Sequence, residues 1–176
     1  PGPVLVDIPK DIQFQTGTYI GPDTVKHKSY RPKLKANIDN IDDALKLIAE
    51  AEKPIFYTGG GVINSGNAAV QLLREFVRLT GFPITSTLQG LGAFPGDDTQ
   101  FVGMLGMHGT YEANMAMNEC DLMINIGARF DDRITGKIDE FSPNSKKIHI
   151  DIDPSSINKV VDVDVALVGD VAHVLE

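Results

Sequence analysis

The sequence repeatedly alternates a short strand pattern, in most cases a continuous apolar run, with a segment of helical periodicity. The strand patterns cover residues 54–58, 83–87, 121–126, 147–152 and 166–168. Strands that are apolar along their whole length are buried on both faces, which is typical of parallel sheets covered by helices. The pattern therefore predicts an α/β fold, with a Rossmann-like parallel sheet as the middle of three αβα layers.

Helical segments separate these runs. Apolar residues at helical spacing from Ile41 to Ile48 share one face, and Asn40 is the expected cap. A second helix is expected from about residue 65 to 80, where Gly81 would end it. Further helices are expected at 111–119, at 155–160 and from residue 171 onward.

The first 37 residues have a different character. Residues 3–9 predict a short buried strand that ends at Pro9. Residues 15–37 have no period and hold five cations between Lys26 and Lys35. A solvated linker is the favoured interpretation, and a patch for an anionic ligand is the alternative. The chain starts without Met and without a signal-peptide pattern, so we interpret it as a piece of a longer protein.

Charge and cysteine content exclude several classes of function. The net charge of −8 disfavours binding to a nucleic-acid backbone. A single cysteine, Cys120, excludes an internal disulfide and a cysteine-rich zinc site. No stretch of eighteen apolar residues is present, so no transmembrane helix is predicted.

The glycine run Gly59-Gly60-Gly61 follows a predicted strand and precedes a predicted helix. Such a run lets a phosphate approach backbone amides. The dinucleotide fingerprint is nevertheless incomplete, because Asn64 stands where its third glycine belongs and no acid follows the second strand. A nucleotide loop and a plain tight turn both remain open for this run.

Four further segments also follow predicted strands or precede a helix. The segment 105–110 contains Met107 and His108, for which an ordinary helix-entry turn is the favoured interpretation. Two Arg and two Asp within 127–133 could hold a pyrophosphate or a carboxylate, or form a surface ion-pair loop. Asp151 and Asp170 could bind a ribose. An aspartate in either segment could equally cap a helix, and Asp153 is the first candidate for such a cap. Polar groups at successive strand ends favour a nucleotide crevice.

The chain resembles the acetohydroxyacid synthase (acetolactate synthase) family of thiamine-diphosphate enzymes, in its central domain. The segments that carry the resemblance span almost the whole chain: 2–11, 57–61, 105–109, 127–136 and 148–154. The Leu-Gly-Met-His-Gly and Gly-Ala-Arg-Phe-Asp-Asp-Arg segments are the most specific of these.

The resemblance implies a role in valine, leucine and isoleucine biosynthesis. The whole enzyme would condense a pyruvate-derived hydroxyethyl unit with pyruvate or 2-ketobutyrate. The central domain would be a six-stranded parallel sheet that binds FAD, mainly as a structural cofactor. Residues 1–13 would be the tail of a preceding pyrimidine-binding domain, 14–37 a linker, and 38–176 the FAD-binding domain.

Thiamine diphosphate and Mg²⁺ would be held by other domains, so the isolated chain is expected to be inactive and to have no metal site. The expected partners are those domains, further copies in a homodimer or tetramer, a regulatory small subunit and 2-ketoacid substrates. Neither nucleic acid nor membrane is an expected partner. The expected location is the cytoplasm, or an organelle in a eukaryote.

The family's FAD contacts carry over to matching positions of this sequence. The isoalloxazine end would meet Thr87, Leu88, Leu105, Gly106, Met107 and His108. The ribityl and phosphate groups would meet Gly59, Gly60, Gly61, Gly127, Ala128, Arg129, Asp131 and Arg133. The adenosine end would meet Asp151, Ile152, Asp170 and Val171.

No catalytic residue is expected in this chain, but three residues would face the substrate channel: Met107, Asp132 and Arg133. The Arg133 guanidinium would pair with the carboxylate of the second 2-ketoacid. Two alternatives remain. One is the central domain of another thiamine-diphosphate carboligase or oxidase, and the other is a non-catalytic binding module with the same fold.

Overall fold

The computed structural model describes residues 3–19, 21 and 32–176. The chain divides into two compact units, Pro1–Arg31 and Pro32–Glu176. The second unit contains all of the sheet and every candidate site residue.

The first unit does not contain the expected buried strand. Residues 3–9 have no regular secondary structure, and Leu5 is 93% exposed. A single short helix, α1 (Lys10–Gln13), follows them. The strand prediction was wrong because an apolar run forms a strand only beside a partner strand, and the described part of this unit supplies none. Lys26, Lys28 and Arg31 of the expected cation patch lie outside the described residues.

The second unit is built on a six-stranded, all-parallel sheet with the strand order β3-β2-β1-β4-β5-β6. The strands are β1 (Pro54–Thr58), β2 (Ile84–Ser86), β3 (Phe101–Met104), β4 (Leu122–Ile126), β5 (Lys146–Asp151) and β6 (Val165–Val168). The predicted α/β class and the six-stranded parallel sheet are confirmed. Five strands match the apolar runs of the sequence, and β3 is an additional edge strand.

Helices cover both faces of this sheet. They are α2 (Ile38–Glu50), α3 (Gly60–Ser65), α4 (Asn67–Thr80), α5 (Tyr111–Glu119), α6 (Asp132–Thr135) and α7 (Val171–Leu175). The core on one face gathers Phe56, Ile84 and Ile124 with side chains of α2, α4 and α7. The core on the other face gathers Ile55, Tyr57 and Met123 with α5 and the chain around Phe130. The three layers are therefore present.

Several helix boundaries differ from the predicted ones. The cap of α2 is Asn37, whose side chain accepts a hydrogen bond from the Asp39 N–H at 3.2 Å. The predicted cap, Asn40, instead donates to the Ala166 carbonyl at 2.9 Å and ties α2 to β6. The glycine run forms the additional helix α3, and the expected helix at 155–160 is only a 3₁₀ turn, Pro154–Ser156. No helix in the described ranges is long and apolar enough to span a bilayer.

Candidate functional site

All candidate segments lie at the carboxyl edge of the sheet. Because every strand is parallel, the loops that follow the six strands emerge on the same side. Strand order reverses between β1 and β4, which is the point where open α/β sheets form their ligand crevice. Six strand ends spaced about 4.8 Å apart cover roughly 24 Å, enough for an extended dinucleotide.

The glycine turn after β1 lies directly against the loop after β4. The Gly59 N–H donates to the Ile126 carbonyl at 3.0 Å, and the Gly61 N–H donates to the Gly127 carbonyl at 3.0 Å. A Cβ on Gly61 would lie 2.7 Å from the Gly127 Cα, so these residues must be small for the two loops to touch. Gly59 and Gly61 thus serve loop packing. A Cβ on Gly60 would lie 3.1 Å from the Cβ of Gln89, in the loop after β2.

The loop after β2 is held by the glycine turn on its other side. The Thr87 N–H donates to the Thr58 carbonyl at 2.9 Å, and the Thr87 hydroxyl accepts from the Gly90 N–H at 3.1 Å. This caps a 3₁₀ turn, Leu88–Gly90, that leaves the Leu88 side chain exposed at the edge. Thr87 is therefore a structural cap, and Leu88 offers an apolar surface beside the glycine turn.

The segment after β3 is a turn that leads into α5, as the simpler interpretation of its sequence expected. Thr110 caps α5, and the Asn114 side chain bonds both the N–H and the carbonyl of Gly106. Leu105 is buried, whereas the Met107 and His108 side chains are exposed. The Met107 and His108 side chains face solvent, so both are available to contact a ligand.

The β3 and β4 segments meet each other across the edge. The Met107 N–H donates to the Arg133 carbonyl at 3.0 Å. A Cβ on Gly106 would lie 2.7 Å from that same oxygen. The structure therefore brings together Met107 and Arg133, two of the three residues expected at a substrate channel. Their side chains and that of Asp132 are all exposed.

The loop after β4 concentrates the charge of the site. The Arg129 guanidinium lies 3.1 Å from an Asp131 carboxylate oxygen, and the Arg129 side chain is 73% exposed. Asp131 also caps α6 by accepting the Arg133 N–H at 3.2 Å. That hydrogen bond holds the pKa of the Asp131 carboxyl below its ordinary value, and the nearby guanidinium groups lower it further. An exposed ion pair stabilises little, so Arg129 can exchange partners at small cost.

The remaining candidates lie after β5 and β6. Asp151 is buried and accepts the Asp153 N–H at 2.8 Å, while Ile152 is partly exposed. Asp153 caps the following 3₁₀ turn by accepting the Ser155 N–H, which lowers the pKa of the Asp153 carboxyl. The predicted capping role of Asp153 is thus confirmed.

Asp170 caps α7, and this contact joins β6 to the glycine region. Its carboxylate accepts the Ala172 N–H at 3.0 Å and the Ser65 hydroxyl at 2.7 Å. Val171 is buried beneath it. Both of these hydrogen bonds use the same oxygen of Asp170, so the second oxygen is available for a further donor.

Two cavities of the domain lie away from this edge. One of about 370 Å³ lies at the opposite edge of the sheet and is lined by Lys53, Pro54, Pro83 and Cys120 among others. The second is smaller and borders α2 and β4. Neither contains a candidate residue. Among the described residues, no three His, Cys, Asp or Glu side chains are grouped closely enough to hold a metal ion.

One feature of the site was missed by sequence reasoning. Phe130 lies between Arg129 and Asp131, is 1% exposed and has a φ of 53°. Its ring packs against the rings of Tyr57 and His149. An aromatic residue inside a charged loop was the available signal, because burying it forces the charged neighbours outward.

Comparison with known proteins identifies relatives of the chain. The family described as thiamine pyrophosphate enzyme, central domain, matches residues 41–176. The acetolactate synthase large subunit of Buchnera aphidicola subsp. Schizaphis graminum is 47% identical over the whole chain, which covers 31% of that protein. The isozyme 3 large subunit of Escherichia coli is 46% identical with the same coverage, and the large subunit of Corynebacterium glutamicum is 48% identical over 99% of the chain and 28% of its own length. The chain thus spans about three tenths of these relatives.

Proposed function

Because the chain belongs to the family of thiamine pyrophosphate enzyme central domains, we propose that it is the FAD-binding central domain of an acetolactate synthase large subunit. The complete enzyme condenses a pyruvate-derived hydroxyethyl unit with pyruvate or 2-ketobutyrate, in the synthesis of branched-chain amino acids. The names of the relatives and their identity over the whole chain support this assignment.

The observation that carries the proposal is the convergence of all six candidate segments on one sheet edge. The residues along this edge would hold an extended FAD in sheet order. The exposed apolar side chains of Leu88 and Met107 would bind its isoalloxazine end. Arg129, whose exposed guanidinium pairs with Asp131 among the described residues, would bind its pyrophosphate. Asp151 and Asp170, which each keep one carboxylate oxygen free of the backbone hydrogen bonds described above, would bind its adenosine end.

These residues fit FAD in their chemistry. A flavin needs an apolar surface, a pyrophosphate needs a cation that can leave its present partner, and a ribose needs hydrogen-bond acceptors. The carboxyl edge offers each of these groups, in that order along the sheet. FAD supplies no net electron transfer in the proposed reaction, so its role here is to organise the site.

The substrate side of the site is formed by Met107, Asp132 and Arg133. The hydrogen bond between the Met107 N–H and the Arg133 carbonyl holds these two residues side by side. The exposed Arg133 guanidinium binds the carboxylate of the second 2-ketoacid, and the Met107 side chain excludes water beside it. This chain supplies orientation and binding, and no catalytic acid or base.

Thiamine diphosphate and Mg²⁺ are bound by parts of the subunit other than residues 38–176. Residues 1–13 belong to the preceding pyrimidine-binding domain and 14–37 to a linker. The subunit acts in the cytoplasm as a homodimer or tetramer, with a regulatory small subunit as a further partner.

A flavin titration of the complete subunit tests the proposal. Addition of FAD to apoprotein should give saturable quenching of flavin fluorescence, whereas NAD and ADP compete weakly. Arg129→Ala should weaken FAD binding by about tenfold, because it removes a charge-assisted hydrogen bond to the pyrophosphate. Arg78→Ala is the matched control, since Arg78 is also exposed and faces an aspartate at 3.7 Å but lies in α4 near the opposite edge.

Two results would contradict the proposal. The first is a complete subunit that forms acetolactate but does not bind FAD. The second is a loss of FAD affinity that is equal in the Arg129 and Arg78 variants, because that would place the flavin somewhere other than the carboxyl edge.

A further inference from the structure

The loop after β4 adopts a backbone shape that it would not hold alone. Gly127 has a φ of 68° and Phe130 a φ of 53°. The left-handed region is costly for a phenylalanine because its Cβ crowds the neighbouring carbonyl oxygen. Contacts from outside the loop must therefore stabilise this shape.

Two buried polar side chains of the sheet hydrogen-bond to the backbone of Ala128, in the middle of this loop. Asn125 of β4 and His149 of β5 are register partners, and both are fully buried. The Asn125 amide donates to the Ala128 carbonyl at 2.8 Å, and its oxygen accepts the Ala128 N–H at 3.2 Å. The His149 Nε2 lies 2.8 Å from the same carbonyl oxygen. Since a carbonyl only accepts, the Nε2 of His149 carries the proton.

The Phe130 ring completes this arrangement from the other side. Its centroid lies 5.2 Å from that of the His149 ring and 5.8 Å from that of Tyr57. Phe130 thus covers the row of side chains that Tyr57, Asn125 and His149 form across the sheet. The loop is held at two adjacent points, by hydrogen bonds at Ala128 and by ring packing at Phe130.

His149 is a costly residue for a buried strand position. Its Nδ1 atom is buried and has no hydrogen-bond partner among the residues that the structure describes. An unpartnered buried nitrogen destabilises the folded state, and an aliphatic side chain would avoid that cost. In return the imidazole gains the hydrogen bond from its Nε2 to the Ala128 carbonyl, and the same nitrogen lies 3.7 Å from an Asp151 carboxylate oxygen.

The hydrogen bonds at Ala128 and the ring packing at Phe130 determine where the charged residues of the loop lie. Ala128 and Phe130 point inward, so the residues between and after them, Arg129 and Asp131, point outward. The same loop contacts the glycine turn, because the Gly127 carbonyl accepts a hydrogen bond from the Gly61 N–H at 3.0 Å. A shift of Ala128 would therefore move Arg129 relative to the glycine turn.

We propose that His149, together with Asn125, is a positioning residue for the anionic part of the ligand: it holds the Ala128 carbonyl so that Arg129 and the glycine turn are preformed for a pyrophosphate. The identity of the ligand rests on the proposed function, but the preformed loop does not. His149 touches no ligand itself and acts through Ala128.

The test compares three variants of the complete subunit. His149→Leu removes the donor, and His149→Gln keeps an amide nitrogen at a similar distance from the backbone. Gln100→Leu is the matched control, because it too removes a side-chain donor to the backbone. The Gln100 amide donates to the carbonyls of Val77 at 2.9 Å and Phe82 at 2.8 Å, near the opposite edge of the sheet. Each variant is measured for its melting temperature, its FAD dissociation constant and amide hydrogen exchange without ligand.

We expect His149→Leu to weaken FAD binding by about three- to tenfold, as for the loss of one hydrogen bond that preorganises a site. His149→Gln should restore most of this affinity, and Gln100→Leu should bind FAD like the wild type even with a lowered melting temperature. In the absence of FAD, His149→Leu should speed exchange of the Gly61 and Gly127 amides about tenfold. The Phe56 amide, which donates to Pro83 far from the loop, should be unaffected.

Unchanged exchange at Gly61 and Gly127 in His149→Leu would overturn the inference, and so would equal weakening of FAD binding by His149→Leu and Gln100→Leu. A wild-type subunit that does not bind FAD would instead contradict the proposed function. In that case the exchange measurement still decides whether His149 positions the loop.

Discussion

Gly59→Ala tests the contact between the two central loops, because Gly59 has no conformational need to be glycine. Its φ of −124° and ψ of −174° suit any residue. An added Cβ would overlap the Gly127 carbonyl oxygen and lie 2.6 Å from the Ala128 Cβ and 2.8 Å from the Ala128 Cα. These are mostly backbone atoms of a loop that Asn125 and His149 hold from the other side, so the loop cannot give way easily.

The expected cost lies at the upper end of the range for overpacking, about 3 kcal/mol in the free energy of unfolding. For a domain of this size that corresponds to a fall in melting temperature of roughly 6–12 °C. Urea unfolding followed by circular dichroism gives the free energy directly. The matched control is Gly96→Ala, since a Cβ on Gly96 would meet no atom within 4 Å. We expect that control to stay within about 0.5 kcal/mol of the wild type.

Equal stability of the two variants would contradict this contact between the loops. It would mean that the loops after β1 and β4 are not in contact, and the crevice at the centre of the sheet would lose its physical basis. A stable Gly59→Ala variant with an unchanged FAD affinity would lead to the same conclusion.

Three further predictions concern titratable side chains. Lys147→Met should destabilise the fold by about 1–3 kcal/mol, because the buried ammonium donates to Ser142 at 3.1 Å and Ser145 at 2.8 Å. Burial lowers the pKa of Lys147 below its ordinary value, so the unfolded state keeps this proton to a higher pH than the native state does. The stability of the wild type relative to Lys147→Met should therefore rise as the pH is raised towards the ordinary lysine pKa of 10.5, which paired urea titrations will measure. Burial raises the pKa of the Cys120 thiol, so a thiol reagent should label it at least about 100-fold more slowly in the native protein than in urea. Asp131→Ala should cost about 0.5–1 kcal/mol at pH 7 through the lost helix cap, and this difference should shrink as the pH falls through the lowered pKa of the Asp131 carboxyl, which acid-range melting curves will show.

The central strands could be predicted because most of their residues are apolar. Residues 54–58 and 122–126 are buried throughout in β1 and β4, so burial and sequence pattern coincide there. The edge strand β3 escaped prediction for the opposite reason. It is only half-buried, its register with β2 is irregular, and Gly103 interrupts it with a φ of 98°. Sequence pattern alone does not distinguish such a segment from a loop.

The candidate site was likewise predictable from the sequence only in part. The position of the charged loop after β4 could be predicted, because parallel strands place all their carboxyl ends at one edge. The hydrogen bonds to Ala128 could not be predicted, because they depend on the pairing of Asn125 with His149 across two strands. These two residues are 24 positions apart in the sequence. The sequence places His149 inside a strand pattern, and the structure adds its partner, the Ala128 carbonyl.

Amide hydrogen exchange of the complete subunit with and without FAD tests directly whether the flavin binds along the carboxyl edge. FAD should slow exchange in residues 59–61, 105–108 and 127–133, and leave the opposite edge around Pro54 and Cys120 unchanged. Slowed exchange confined to that opposite edge, or no change at the carboxyl edge under saturating FAD, would contradict binding at the carboxyl edge.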